Sequence, residues 1–363
     1  MLSLLSRIKA TPILSGGLKR PCKSRIVTPE QRKMSPDLKK TIKIAAVQAA
    51  PVFLNRAATT EKVCRLIREA GEQGVDVIGF PEAFIPCFPS WVELLPLVSE
   101  PAPSLYRELF HQAVEVPGPE ISAIQAACRD ANIYAVVGIN EKRAGTTGTL
   151  YNTQLIFGRD GGLLHKHQKY VPTVGERLIH APGTTGSKAS AQTDFGCLSS
   201  LICGENGNPL AAYSLGLDYP IVHVASWPTH FGPGVPAVDM EDAVLTVTRG
   251  LAAALSCFII NSVSVVADDA IEAYGVDEAG RQFLRQQQEK RTRATIVGPG
   301  GSIIAGPFEE AEEGILYADV SAGDLVGSKY ATDYAGHYNR PELFAHHFAK
   351  YFKGGQRDGA GQA

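Results

Sequence analysis

The chain has 363 residues, 44% hydrophobic and 20% charged. That is a globular composition, long enough for one large domain or two small ones. A net charge of −2 singles out no partner class, nucleic acid included, and no apolar run approaches the roughly 20 residues of a membrane span. Seven scattered cysteines form no CxxC pair, which argues against a zinc ribbon or a disulfide scaffold and suits a reducing compartment, the cytoplasm.

Residues 1–40 stand apart. Eight of the 35 basic residues lie in residues 1–33 against a single acid, Glu30. The remainder therefore holds 27 basic and 36 acidic residues, a net charge of −9. A basic, acid-poor, Ser-containing leader looks like a mitochondrial transit peptide, and Met34 offers an alternative start. Residues 1–40 are set aside from the fold as a leader.

Ile42 to Gln48 alternates and reads as a first strand, and Ala57 to Ala70 has helical spacing. Val75 to Phe80 is a short buried strand ending at Pro81-Glu82. A helix over Ile121 to Asp130 precedes a strand over Tyr134 to Ile139. Strands at Tyr151 to Phe157 and Leu163 to Tyr170 flank Arg159-Asp160-Gly161-Gly162, a hairpin signal. Leu198 to Ile202 is a strand that stops at Cys203. Pro209 to Leu217 reads as a helix, Ile221 to Ser226 as a strand, and Met240 to Leu255 as a long helix before a strand over Phe258 to Val266. Ala294 to Val297 and Ser302 to Ile304 bracket a turn, and Ile315 to Val320 closes the pattern. Helices and strands mix without a linker or repeat, so residues 41–325 are predicted to form one α/β domain, two sheets with helices on their outer faces. The Gly-rich polar residues 350–363 are expected to be disordered.

Three stretches with chemical potential sit where strands end, on a rigid base beside an open loop. In Phe80-Pro81-Glu82 a carboxylate follows an apolar strand. Partial burial would raise its pKa and make it a general base, although alone it reads as a surface glutamate. In Lys169 to Arg177 a lysine at a strand end can stabilise an anion or a thiolate, although a solvated basic hairpin is the commoner reading. In Ile202-Cys203-Gly204-Glu205-Asn206 an apolar strand breaks into a turn with a cysteine at the corner and a helix following. That resembles a nucleophile elbow, and the helix N-terminus is expected to lower the thiol pKa. Cys64, Cys128 and Cys257 lie inside apolar patterns and read as structural. Pro299-Gly300-Gly301 lacks phosphate-loop spacing. His165 and His167 would share a strand face, a spacing open to a metal, but no metal is expected.

In order along the chain, Phe80-Pro81-Glu82, Lys169-x-x-Pro172-Thr173-x-x-Glu176-Arg177 and Cys203-x-Glu205-Asn206 with Pro209-Leu210 resemble the motifs of the nitrilase superfamily. The likeness runs from Ile42 to Phe344. His223-Val224-Ala225-Ser226-Trp227-Pro228 and Gly336-His337-Tyr338-Asn339-Arg340-Pro341 favour its nitrilase branch over amidases and carbamoylases.

The resemblance implies a four-layer αββα sandwich with catalytic Glu82, Lys169 and Cys203, supported by Glu176 and Glu205. It implies no metal or organic cofactor. It also implies a homodimer or a larger homo-oligomer up to a spiral filament, with residues 326–349 as a C-terminal extension in those contacts. The implied reaction is hydrolysis of a small nitrile through a cysteine thioimidate and thioester. An amidase, a hydratase giving the amide, or a catalytically silent binding member of the fold are the alternatives.

The chain departs from the common pattern in having Gly204 where many nitrilases carry Trp. Asn206 stands where fungal cyanide hydratases carry His, and Cys87-Phe88-Pro89 replaces Gly-Tyr-Pro. Phe88, Trp91, Gly204 and Asn206 are therefore the expected substrate-pocket residues.

Overall fold

A computed structural model describes residues 40–233, 240–290, 293–309 and 311–347. Except for Lys40, the predicted leader lies outside the described residues, as does the tail 350–363. The elements are β1 (Thr41–Ala49), α1 (Arg56–Glu72), β2 (Val77–Gly79), α2 (Ala102–Gln112), α3 (Pro119–Ala131), β3 (Tyr134–Lys142), β4 (Leu150–Phe157), β5 (Leu163–Gln168), β6 (Ser190–Thr193), β7 (Gly196–Ile202), α4 (Pro209–Gly216), β8 (Pro220–Trp227), α5 (Met240–Leu255), β9 (Phe258–Ser264), α6 (Asp268–Tyr274), α7 (Glu278–Gln288), β10 (Thr295–Val297), β11 (Ile303–Ala305), β12 (Gly314–Ser321) and α8 (Asp324–Ala331). None of the described helices is long and apolar enough to cross a membrane.

The strands form two leaves. One runs β5-β4-β3-β2-β1, with β12 antiparallel along β1. The other runs β6-β7-β8-β9, with β10 and β11 beyond. Among the described residues the strand pairing passes between them where Gln48 and Ala49 meet Val263 and Ser264. Side-chain alternation along β1 shows why the leaves stack. Ile42, Ile44 and Ala46 point between them, against Val222, Val224, Phe258 and Ile260 of the second leaf. Ala45, Val47 and Ala49 point outward onto Val63, Ile67 and Ala70 of α1 and Ile124 of α3. On the other outer face, Leu201, Ala225 and Ile259 receive Ala211 and Leu215 of α4 and Val244, Leu251 and Leu255 of α5. The layers are therefore α–β–β–α, as the family resemblance implies.

The expected domain boundary at residue 325 falls inside α8, whose Leu325 is buried with the inter-leaf core. The extension beyond it folds back over its own chain: Lys329 Nζ donates to Leu255 O, and Asn339 Nδ2 donates to Tyr213 Oη at 3.0 Å.

Strand direction gathers the site. β1, β2 and β3 are parallel, β4 reverses, and β5 reverses again; β7, β8 and β9 run the same way as β1. The C-terminal ends of β2, β5 and β7 thus share one edge, where Glu82, Lys169 and Cys203 begin their loops. The loop carrying Glu82 crosses directly over Gly138 of β3. A Cβ on Gly138 would lie 2.4 Å from Pro81 O and 2.6 Å from Ala83 N, a clash with backbone that nothing flexible relieves.

Gly138→Ala is therefore expected to lower stability by about 1–3 kcal/mol and to displace Glu82, cutting turnover. Gly148→Ala meets nothing closer than Tyr106 Oη at 3.8 Å and should behave as wild type. Denaturant melts and turnover of the two variants check this, and a neutral Gly138→Ala would refute the close-approach argument.

Candidate active site

Three of the expected residues sit on or close to backbone held in an unusual shape. Ile202 is extended and Cys203 turns left-handed at φ 50°, so the side chain stands at the corner where β7 ends. Ala83, next to Glu82, and Val174, two residues before Glu176, are left-handed as well, at φ 45° each. The left-handed residue of the elbow is thus the cysteine itself and not Gly204. A Cβ on Gly204 would meet Thr173 Oγ1 at 3.8 Å, an ordinary contact that leaves room for a side chain.

The charged centre is closed off from solvent. Lys169 is 2% exposed and Glu82 and Glu176 are 1% exposed each. Lys169 Nζ donates to Glu82 Oε1 and to Glu176 Oε2, both at 2.6 Å. One amide, Asn152 Nδ2, donates to both acids, at 2.7 Å to Glu82 Oε1 and 2.8 Å to Glu176 Oε1.

The two carboxylates nevertheless differ. Glu176 also accepts from Thr173 N at 2.9 Å and faces His180 Nδ1 at 3.0 Å, so both its oxygens are engaged. Burial pushes it up, but Lys169 and His180 outweigh burial and hold it well below the usual carboxylate range. Glu82 Oε2 is buried with no hydrogen-bond partner. Burial, with Glu176 beside it, overcomes Lys169 and Asn152 and raises Glu82 to about 7. Two acids on one lysine are therefore driven apart, one into a fixed anion and the other into a group that can exchange a proton near neutrality. Lys169 is drawn down by burial and, more strongly, up by Glu82, Cys203 and Glu176, so it stays an ammonium.

The expectation that a helix N-terminus would make Cys203 acidic is overturned. Burial and the charges of Glu82 and Glu176 raise its thiol well above the usual value, against Lys169 and the Gly204 N–H. Its surroundings thus favour the thiol over the thiolate.

Glu205 braces the elbow. Its Oε1 accepts from Tyr170 N at 2.6 Å, and its Oε2 accepts from Ile202 N at 2.9 Å and lies 2.8 Å from His167 Nε2. One carboxylate thus pins the residue after Lys169 to the residue before Cys203. His167 is spent on that brace and His165 lies against Lys188 O, so the two histidines do not converge on a metal.

The four expected pocket residues differ in their surroundings. Asn206 lies under the elbow, donating to Leu201 O and Cys203 O and accepting from His223 Nε2 at 2.9 Å. Burial holds His223 neutral, and its Nδ1 meets Ser199 Oγ. Trp91 is 1% exposed and packs edge-on to Phe53 at 6.0 Å, inside a hydrophobic cluster with Leu109 and Tyr274. Phe88 borders a crevice with Phe53 and Tyr274. Large apolar side chains near a site are as readily claimed by the core as by a ligand. Of the four, Gly204 alone is exposed.

Asn152, Asn140 and His180 were missed from sequence. For Asn152 a signal existed: it opens the polar run Asn152-Thr153-Gln154 in a strand that is otherwise apolar, and all three are buried. Thr173-x-x-Glu176 is a capping box, which gives Glu176 its local hold.

The chain is similar to known proteins in sequence and in fold. The family model described as carbon-nitrogen hydrolase matches residues 43–330. An aliphatic nitrilase of Rhodococcus rhodochrous is 35% identical over 85% of this chain and 82% of its own. An arylacetonitrilase of Hypocrea virens is 31% identical over 84% of this chain and 90% of its own. Among solved structures, a carbon-nitrogen hydrolase from Helicobacter pylori G27 superposes with TM-score 0.66 at 18% identity, covering 85% of this chain and 99% of its own. A mutant amidase from Nesterenkonia sp. AN1, which carries covalent addition of an acetamide moiety at its active site cysteine, gives 0.58 at 15% identity, covering 86% and 98%. With a family model spanning most of its length and relatives at a third identity, this chain belongs to the carbon–nitrogen hydrolase family.

Proposed function

We propose that this protein hydrolyses a small organic nitrile to the carboxylic acid and ammonia, with Cys203, Glu82 and Lys169 as its catalytic residues. The observation that carries the reading is the pair of buried carboxylates held at opposite protonation tendencies by one lysine, next to a buried, neutral thiol. Relatives at 35% and 31% identity named as nitrilases favour a nitrile over an amide.

In this mechanism Glu82 takes the thiol proton as Cys203 Sγ attacks the nitrile carbon. The nitrogen gains that proton and a covalent thioimidate results. Lys169 and the Gly204 N–H stabilise the developing negative charge. Glu82 then deprotonates a water that adds to the thioimidate carbon, ammonia leaves, and a thioester remains. A second water releases the acid and restores the thiol. Two waters are consumed per nitrile. Departure of the thiolate before ammonia would give the amide, and an amide substrate would enter through the same tetrahedral species. Glu205 and Glu176 are positioning groups here, and a silent binding member of the fold would have no use for a base poised near neutrality. No step calls for a metal or an organic cofactor.

The open space over Gly204 suits a substituted aliphatic or arylaliphatic nitrile. We also propose a homo-oligomer, built through the face where α4 meets the extension. Leu210, Tyr213, Tyr334, Tyr338 and Phe344 line a groove there of about 540 Å³, and Tyr330 is 87% exposed. Cys64, Cys87, Cys128, Cys203 and Cys257 are free, which fits a reducing compartment such as the cytoplasm, or the mitochondrion if the leader is a transit peptide.

Cys203→Ala and Glu82→Gln should abolish ammonia release from a nitrile panel while the fold is kept, and Cys64→Ala and Cys257→Ala should stay active. Full activity in Cys203→Ala would sink the mechanism, and release from amides alone would move the reading to an amidase. Because Glu82 must be ionised and titrates at about 7, kcat/KM should rise through that pH with one acid limb. Gly204→Trp should reduce turnover of the bulkiest nitriles and spare small ones, since filling apolar space is worth about 25 cal/mol per Å². Equal loss on all substrates would count against the pocket argument. Leu210→Asp or Tyr330→Asp should shift the protein to a smaller species in size-exclusion chromatography with light scattering. An unchanged mass would remove this face from the assembly.

A further inference from the structure

Two buried side chains that the mechanism does not use converge on Glu176. His180 is enclosed, its Nδ1 3.0 Å from Glu176 Oε1 and its Nε2 2.8 Å from Asn140 Oδ1. Asn140 has no choice of orientation. Its Nδ2 lies 3.2, 3.2 and 2.8 Å from the carbonyl oxygens of Ala83, Ile85 and Cys87, and only an amide nitrogen can face three acceptors. Its oxygen therefore faces His180, and an amide oxygen donates nothing, so His180 Nε2 carries a hydrogen. Through Nδ1 the same ring meets a carboxylate oxygen that already accepts from Asn152. A lone pair against that oxygen at 3.0 Å would repel it. One more proton must lie between ring and carboxylate.

We propose that His180 is a buried imidazolium and a positioning residue for the Glu82–Lys169–Glu176 cluster. It holds Glu176 as an anion and, through Asn140, ties that anion to the loop following Glu82. Glu176 already accepts from Lys169 Nζ, Thr173 N and Asn152 Nδ2, three donors that suit a carboxylate rather than a carboxylic acid and so leave the extra proton on the ring.

The charge count shows why this matters. With His180 cationic, two carboxylates face two cations, and the cluster is neutral before chemistry begins. With His180 neutral, it would carry an unmatched negative charge. The thiolate of Cys203 and the oxyanion after it would both form against that charge. The other titratable or charged groups in this enclosure are Glu82, Lys169 and Cys203, with Glu93 at its edge beside Glu176.

The consequence for turnover rests on Glu82 being the base; the proton position does not. Neutron diffraction from the full chain at neutral pH should show deuterium on both ring nitrogens of His180 and none on Glu176. Deuterium on Nε2 alone, whether or not the Glu176 carboxyl is deuterated, would overturn the inference. In solution, His180→Gln keeps a donor toward Glu176 but loses the charge. Loss of a neighbouring cation should move the acid limb of kcat/KM upward by on the order of one pH unit. Below that limb a one-unit shift leaves about a tenth of the ionised base, so kcat/KM falls about tenfold there, with KM little changed. An unmoved limb would remove the electrostatic role. If His180→Gln fails to fold, the neutron map on the native protein still decides. An imidazolium in a protein that turns over no nitrile would sink the proposed function and leave this inference standing.

Discussion

The site rests on one ammonium group enclosed between two carboxylates. Removed from water, an unpaired lysine would lose its proton and two adjacent carboxylates could not both ionise. Together they stabilise one another: at an effective dielectric of about 20, opposite charges about 4 Å apart attract by about 4 kcal/mol. Removing one partner from such a buried set costs about 3–5 kcal/mol, because the other is left uncompensated. Lys169 is therefore as much a folding constraint as a chemical one. It comes from the end of one strand, while its acids come from the end of another and from a capped turn.

That constraint explains the effort spent on positioning around it. The strands bring three loops to one edge, but an edge alone would leave their tips mobile. The loops are held by side chains: Asn140 spans the turn after Glu82, Glu205 joins the end of β5 to the elbow, and Asn206 with His223 supports the elbow from beneath. Three non-glycine residues accept left-handed backbone at these loops. Strain of that kind persists only where surrounding contacts over-determine the conformation, and here the contacts are buried and directional.

Much of this could be read from the residues. Because one face meets the opposite leaf and the other a helix, β1, β3, β7 and β8 are buried almost throughout and are visible as largely apolar runs. α2 and α7 are not, because they bury little: Ala102 and Leu109 in one, Leu284 in the other. Glu82 and Cys203 stand out as polar residues at the ends of apolar strands, whereas Lys169 follows the polar β5 and is marked by the Pro172-Thr173-x-x-Glu176-Arg177 stretch after it. Trp91 and Phe88 looked like pocket wall because sequence separation cannot say which way an aromatic turns, and Asn206 misled for the same reason. His180 gave no signal, since its meaning depends on an asparagine 40 positions away that is itself oriented by three carbonyls.

The neutral state of Cys203 reaches beyond turnover. Peroxide and other electrophilic oxidants consume thiolates, and a thiol held protonated in a closed site is a poor target for them. On the proposed mechanism, a nucleophile ionised only as it attacks is shielded between turnovers by the same burial that makes it depend on Glu82. Its reactivity is then confined to the interval when a substrate occupies the site.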